Sequence, residues 1–347
     1  MAPVSTGTTS KKSEVKVFSL VTLGLILILA IIFVNNTLQI QEETKATRGY
    51  IRNLHFLPPH LRKQVVEVIN RDSTEESTHE WGQPVQGTNF VIYYNAIPKT
   101  GCRSIARAAA FLSATQAMDT RFKLTILPED ILFNEGLIRQ YVRQVDPPAI
   151  IGGHAIFVPF SAPQAYSSSI PVKYVNVLRD PLDRLISHYY FEQNGDSVHQ
   201  ASFFTVGTKM SLDDCLHDEV CKNKSYDKIL KRTINQLCGA RPHCGTLSRR
   251  AMLTAKRNVN HYTVIGLTEQ LNTTVLLLER MFPSMMTGLH SHFRKTEVAS
   301  LKKFKTLDKL APSPATLEIL RRDLAFEYEV YDDVKRKFDQ LKAEMGL

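Results

Sequence analysis

Phe90-Val91-Ile92-Tyr93-Tyr94 runs through Asn95-Ala96-Ile97 into Pro98-Lys99-Thr100-Gly101-Cys102-Arg103-Ser104, and then into an alanine-rich stretch ending at Ala114. The first five residues are a continuous apolar and aromatic run of strand length, which reads as a buried strand. Ser104 to Ala114 reads as a helix. The segment between them delivers a loop onto a helix N-terminus, where backbone N–H groups lack intrahelical acceptors and the helix dipole is positive. Such a place binds anions. Gly101 lets a ligand approach the backbone, Lys99 brings a mobile point charge, and Arg103 and the Ser104 hydroxyl add donors. The G-x-x-x-x-G-K-[ST] order of a nucleoside triphosphatase loop is absent, because Lys99 precedes the glycine. A plain strand-to-helix turn would need neither Lys99 nor Arg103.

The same arrangement recurs downstream. Tyr174 to Leu178 reads as a strand, and Arg179-Asp180-Pro181 leads into a helix with Leu182, Leu185, Ile186, Tyr189 and Tyr190 on one face. Asp180 suits the N-cap and Pro181 the first helical position. Ala149 to Ile151 reads as another strand, ended by Gly152-Gly153-His154, and Tyr262 to Leu267 as a further one, followed by a helix from Glu269 to Phe282. The four cysteines from Cys215 to Cys244 fall in a stretch that reads as loops and short helices. Ser313 and Pro314 start a long amphipathic helix through Leu317, Leu320, Leu324, Tyr328, Tyr331, Val334, Phe338 and Leu341. Alternating strands and helices predict an α/β fold with a parallel central sheet and flanking helices. In such sheets ligands collect at the carboxyl ends of strands. Arg179 and Ser187 then form a second anion site beside the first, which suits a cofactor with phosphates at both ends of a nucleoside.

The whole chain, 347 residues with 43% apolar and 22% charged side chains, is that of a folded protein, and excludes wholesale disorder, a coiled coil and a collagen-like fibre. Its net charge of +9 favours an anionic partner. Val17 to Val34 is uncharged and long enough to span a bilayer, and its end at Val34-Asn35-Asn36 is no signal-peptide cleavage site. The expected organisation is a cytosolic tail (1–16), a transmembrane signal-anchor (17–34), a lumenal stem (35–88) and a catalytic domain (89–347). Sequons at Asn35, Asn223 and Asn272 all follow the span. Cys215 with Cys221 and Cys238 with Cys244 form close pairs. Two small disulfide loops in an oxidising lumen fit this setting better than a zinc site, whose cysteines usually stand closer in sequence, although both readings are open here. Cys102 is left over.

The run Pro98-Lys99-Thr100-Gly101-Cys102-Arg103-Ser104, followed by Arg179-Asp180-Pro181-Leu182-Asp183-Arg184-Leu185-Ile186-Ser187-His188-Tyr189-Tyr190, resembles the two cofactor loops of Golgi sulfotransferases. Within that group the chain is similar to the heparan sulfate and uronyl 2-O-sulfotransferases. The likeness extends through the cysteine pairs, Asn258 to Glu269, and Pro312-Ser313-Pro314 with its helix, the last closer to the uronyl branch. It implies a P-loop-like sulfotransferase fold and 3′-phosphoadenosine 5′-phosphosulfate (PAPS) as donor, with no metal. By resemblance, Lys99, Thr100, Gly101, Cys102, Arg103 and Ser104 hold the 5′ phosphosulfate, and Arg179 and Ser187 the 3′ phosphate. Thr306 and Lys309 resemble a later loop that closes over the cofactor, with Lys295-Thr296 as a competing match.

His154 matches the position of the family's catalytic histidine, with His188 as runner-up, and Lys99 would stabilise the departing phosphate. The chain departs from the heparan branch at Gly152, where that branch has a second histidine. It departs from the wider family at Ala96, where an arginine expected to touch the acceptor is usual. The resemblance thus implies sulfate transfer to the 2-hydroxyl of a uronic acid in a glycosaminoglycan (heparan or dermatan/chondroitin sulfate), by a single-pass type II Golgi membrane protein that forms a trimer. A lumenal glycan-binding protein of the same fold that lost catalysis, or a sulfotransferase acting on a different glycan, is the alternative. A nucleic-acid partner conflicts with the anchor and sequons.

Overall fold

Five parallel strands, β1 (Val91–Asn95), β2 (Lys123–Ile126), β3 (Ala149–Gly153), β4 (Val172–Leu178) and β5 (Tyr262–Leu267), lie in the order β2-β3-β1-β4-β5. They come from a computed structural model that describes residues 83–114, 122–160, 170–199 and 209–347, the side chains of 297–302 excepted. The described residues belong to one compact unit, Ser77–Leu347. The tail, the expected anchor over 17–34, almost all of the stem and Asn35 lie outside the described residues. Among the described residues, no helix is long and apolar enough to cross a membrane.

β1 is buried along its whole length, as a central parallel strand covered on both faces must be. From β1 the chain moves outward to β2, returns to β3, crosses to β4 on the other side of β1, and continues to β5. The connections leaving β1 and β4 therefore diverge, and the crevice beyond their carboxyl ends is the topological switch point at which open α/β sheets bind ligands.

The helices are α1 (Cys102–Ala114), α2 (Glu135–Arg143), α3 (Pro181–Asn194), α4 (Leu212–His217), α5 (Asp227–Cys238), α6 (Arg249–Val259), α7 (Leu271–Met281), α8 (Leu289–Lys303), α9 (Pro314–Asp323) and α10 (Ala325–Glu344). α8 packs on α1 and α7, and α10 on β5 and α6. α1 starts two residues before the expected Ser104, because the Gly101 carbonyl already accepts from Ser104 N and Ile105 N. α3 starts as expected: the Asp180 side chain accepts from Asp183 N, and Pro181 opens the helix.

Two expectations are corrected. The stretch holding the four cysteines contains α5, a full helix. The long terminal helix is interrupted at Leu324 (φ −85°, ψ 3°) and becomes α9 and α10. The interruption lets one apolar stripe serve two cores. Leu320 and Leu324 pack with Leu185, Tyr189 and Tyr226, whereas Val330, Val334, Phe338 and Leu341 pack into the main core over the sheet.

The cysteines are paired as two disulfides, Cys215–Cys221 and Cys238–Cys244. His243 lies close enough to both sulfurs of the second pair to suggest a metal cluster, but the bond between those sulfurs consumes the thiolates a zinc ion would need. Arg184, fully buried, is fixed by a two-pronged ion pair to Glu327 (2.7 and 3.0 Å) and a hydrogen bond to the Ile229 carbonyl (3.2 Å). The arginine of the second motif thus ties α3 to α10 and α5, away from any ligand.

Candidate active site

Asn95 and Gly153 are paired at the ends of β1 and β3, and Tyr94 pairs with Val175 on β4. The loops that leave these neighbouring strand ends carry Lys99, His154 and Arg179. All three line a single cleft of about 820 Å³, together with Gly101, Cys102, Arg103, Ser104, Ser187, His188, Thr306 and Lys309. That volume is within the range of cofactor pockets, ~300–1,000 Å³.

At the β1 end, Gly101 has φ 81°, and a Cβ there would meet Leu271 Cδ2 at 3.1 Å, so glycine is required both by backbone and by space. Lys99 takes φ 69°, an unusual conformation for a side-chain-bearing residue. Its ammonium rests 3.8 Å from the centre of the Phe191 ring on α3. Burial, with Arg103 nearby, lowers its pKa to about 8. Arg103 forms an ion pair with buried Asp196, donates to His199 Nδ1 at 2.7 Å, and lies over Phe304. Burial alone would raise the Asp196 pKa, but the Arg103 bond and the N–H groups of His199 and Val198 outweigh it and hold the carboxyl at about 2. Thr100 is turned away from the cleft: it is fully buried and donates to the Ile97 carbonyl at 2.8 Å. Only its backbone can serve a ligand. Cys102 is a free cysteine whose thiol pKa is raised by burial, so it stays protonated.

At the β4 end, Arg179 donates to the Lys99 carbonyl (3.4 Å) and to Asp183 in the first turn of α3 (3.4 Å), and Thr268 donates to both the Thr100 and Leu178 carbonyls. The two anion loops are therefore one braced unit. Ser187 and Thr306 hydroxyls stand 3.2 Å apart, and Thr306 also donates to the Ser187 carbonyl. Asn194 holds the carbonyls of Leu307 and Asp308, which fixes the loop bearing Thr306 and Lys309 against the end of α3. Burial and the nearby Arg179 lower the Lys309 pKa. Thr296, by contrast, sits within α8 and donates back to the His292 and Phe293 carbonyls of that helix. The Thr306 loop, rather than Lys295-Thr296, reaches the cleft.

At the β3 end, His154 Nδ1 is 2.8 Å from the Ala96 carbonyl. A carbonyl can only accept, so Nδ1 carries the proton and Nε2 keeps its lone pair. Burial lowers the pKa of His154, the bond to Ala96 partly restores it, and Arg232, Arg103 and Lys99 lower it further. The loop is pinned from behind by Tyr93 on the Ile156 carbonyl (2.8 Å) and Gln236 on the Ala155 carbonyl (3.0 Å). His188 also lines the cleft, but burial and the nearby Arg184 push its pKa well down, and its Nε2 stands 3.6 Å from Glu192.

Sequence reasoning missed Phe191, Thr268, Lys305 and Arg232, all of which line the cleft. Phe191 was findable, lying one helical turn beyond Ser187 on α3. Arg232 sits in the middle of α5 and gave no local signal. Lys99, Arg103, Arg179, Arg232, Lys305 and Lys309 make the cleft strongly cationic, and Glu129 is the one acid among its described lining residues. Such a cleft, polyvalent toward anions at both ends and carrying the His154 imidazole with its Nε2 lone pair free of the Ala96 bond, fits a doubly phosphorylated nucleotide beside a hydroxyl to be deprotonated.

Comparison with known proteins agrees with this geometry. The profile described as the sulfotransferase family matches residues 85–332. Human uronyl 2-sulfotransferase is 28% identical over 268 residues, covering 74% of this chain and 64% of the human protein. The chain thus spans somewhat less than two thirds of that relative. Drosophila melanogaster heparin sulfate O-sulfotransferase is 31% identical, covering 74% of each chain, and Cricetulus griseus heparan sulfate 2-O-sulfotransferase 1 is 26% identical, covering 90% of this chain and 86% of its own. With the family profile spanning most of its length and its anion loops braced at one sheet edge, the chain belongs to the sulfotransferase family.

Proposed function

We propose that this protein transfers sulfate from PAPS to the 2-hydroxyl of a uronic acid residue in a glycosaminoglycan, either heparan or dermatan/chondroitin sulfate. The observation that carries this reading is the opening of Lys99, Arg179 and His154, from three consecutive strand ends, into one cationic cleft. The names of the relatives, uronyl and heparan sulfate 2-O-sulfotransferases, supply the acceptor class. Lys99, Arg103, the N–H groups from Gly101 to Arg103 and the Ser104 hydroxyl hold the 5′ end of the donor, and Arg179, Ser187, Thr306 and Lys309 hold its 3′ phosphate. The donor brings an activated sulfuryl group. His154 Nε2 takes the proton of the attacking hydroxyl. The Lys99 ammonium and the first N–H groups of α1 neutralise the charge that gathers on the leaving phosphate. A pKa below the usual imidazole value keeps His154 neutral in a mildly acidic compartment.

The setting belongs to the same proposal: a single-pass type II Golgi membrane protein, anchored by 17–34, with a stem to about residue 88 and the catalytic domain in the lumen. Two disulfides and the exposed sequon asparagines Asn223 and Asn272 accord with it. A trimer is expected by family resemblance.

Full-length protein given PAPS labelled in its sulfate should label at least one of heparan, dermatan or chondroitin. His154→Ala should lower turnover by about a hundredfold or more, with unchanged calorimetric affinity for adenosine 3′,5′-bisphosphate. Full turnover in that variant removes His154 from its role. Donor binding without transfer to any polymer favours the glycan-binding alternative.

A further inference from the structure

Arg232 on α5 is the one described residue that lines both the main cleft and an adjoining trough of about 580 Å³. The trough is basic: Lys228, Lys231 and Arg241 line it with Arg232, against the single acid Asp227. The arginine is held from two directions. Its Nε donates to Gln236 Oε1 at 3.2 Å, and its guanidinium carbon stands 4.9 Å from the centre of the Phe133 ring. Gln236 in turn donates to the Ala155 carbonyl (3.0 Å) and to the Ala96 carbonyl (3.4 Å), the same oxygen that fixes His154. Arg232 and His154 are thus positioned through one shared carbonyl.

What the guanidinium lacks is a counter-charge. Among the described residues no carboxylate lies within 4.0 Å of it, and neither Nη makes a hydrogen bond. Glu192, the acid whose charge acts on it, is itself held toward the protonated form by burial. A largely buried arginine with a free fork is costly to keep unless an anion completes it. The planar fork matches a planar carboxylate, two N–H groups to two oxygens, better than it matches a lone hydroxyl.

We propose that Arg232 grips the carboxylate of the uronic acid acceptor and so sets its 2-hydroxyl against His154, with the Lys228, Lys231 and Arg241 trough carrying the next anionic sugars of the polymer. This rests on the reading of the protein as a uronyl 2-O-sulfotransferase. In a hexuronate ring the carboxylate and the 2-hydroxyl stand on opposite sides, so a residue that holds the first must stand about a ring's breadth from the base that acts on the second. Arg232, braced beside His154 at the mouth of the trough, is placed for this.

The test crosses enzyme and substrate changes in the full-length protein. Arg232→Ala should lower kcat/KM on the native polymer by roughly thirtyfold or more, mainly through KM, and Arg232→Lys should restore part of the loss. On the same polymer with its carboxyl groups reduced to alcohols, wild type should fall by a similar factor and Arg232→Ala should fall no further. Calorimetric affinity for adenosine 3′,5′-bisphosphate should be the same in all three proteins. An Arg232→Ala loss of equal size on native and reduced polymer, or wild-type indifference to carboxyl reduction, overturns the assignment and leaves the uronyl reading standing. A wild type that binds the bisphosphate yet sulfates no uronic-acid polymer overturns the reading itself, and the assignment with it.

Discussion

Lys99 and His154 carry opposite requirements for protons, and their environments separate them. Lys99 must be charged to meet a leaving phosphate, yet burial brings its pKa to about 8. His154 must be neutral to act as a base, and burial takes its pKa below the usual ~6.5. In the free enzyme, kcat/KM should therefore climb as pH rises through a value below ~6.5, where His154 loses its proton, and fall as pH rises through about 8, where Lys99 loses its own. Lys99→Arg should carry the alkaline limb upward, because guanidinium does not titrate in this range. An alkaline limb unmoved in that variant would assign it to another group. Thr306 offers a second check at this scale. Thr306→Ala should raise the donor KM several-fold, roughly as expected for one hydrogen bond of ~1 kcal/mol, whereas Thr296→Ala should leave it unchanged, since that hydroxyl is spent on its own helix.

Among the elements, α3 has two jobs, and its residue spacing divides them. Ser187, His188 and Phe191 reach the cleft, and Arg184 turns the other way to Glu327. Glu327→Ala leaves a buried guanidinium without its partner and should cost about 3–5 kcal/mol of stability by denaturant unfolding, a loss that leaves its mark on the donor site through α3. A change under ~1 kcal/mol would mean that water enters and solvates Arg184. The legibility of the elements follows the same physics. β1, β3, β4 and β5 are recognisable as short apolar runs because parallel strands are covered on both faces. β2, Lys-Leu-Thr-Ile, is an edge strand with exposed ends and has no such run. The anion loops were legible because strand, loop, glycine and helix are consecutive in the chain. Arg232 was not, because its tie to His154 runs through Gln236 to the Ala96 carbonyl, far away in sequence, and no local pattern encodes a tertiary hydrogen bond. The break at Leu324 was hidden for a related reason: the heptad-like stripe continues across it, and only the existence of two separate cores divides the helix.

On the scale of the whole molecule, the net charge of +9 is concentrated to a purpose: six cations face the cleft and three more the trough beyond Arg232. The Cys238–Cys244 disulfide closes the end of the helix that carries Arg232, and Gly239 beside it (φ 97°) presses to within 2.8 Å of the Phe157 carbonyl for any added Cβ. Phe157 N donates to the Gln236 carbonyl at 2.6 Å, so the wall of the trough is fastened to the segment that follows His154. The trough and the cleft have one lining residue in common among those described, Arg232, so nucleotide and polymer need not share an entrance. If sulfate transfer proceeds as proposed, a sugar chain held along the trough by Lys228, Lys231 and Arg241 need not let go when the spent carrier leaves the cleft, and successive modifications within one encounter are the expected outcome.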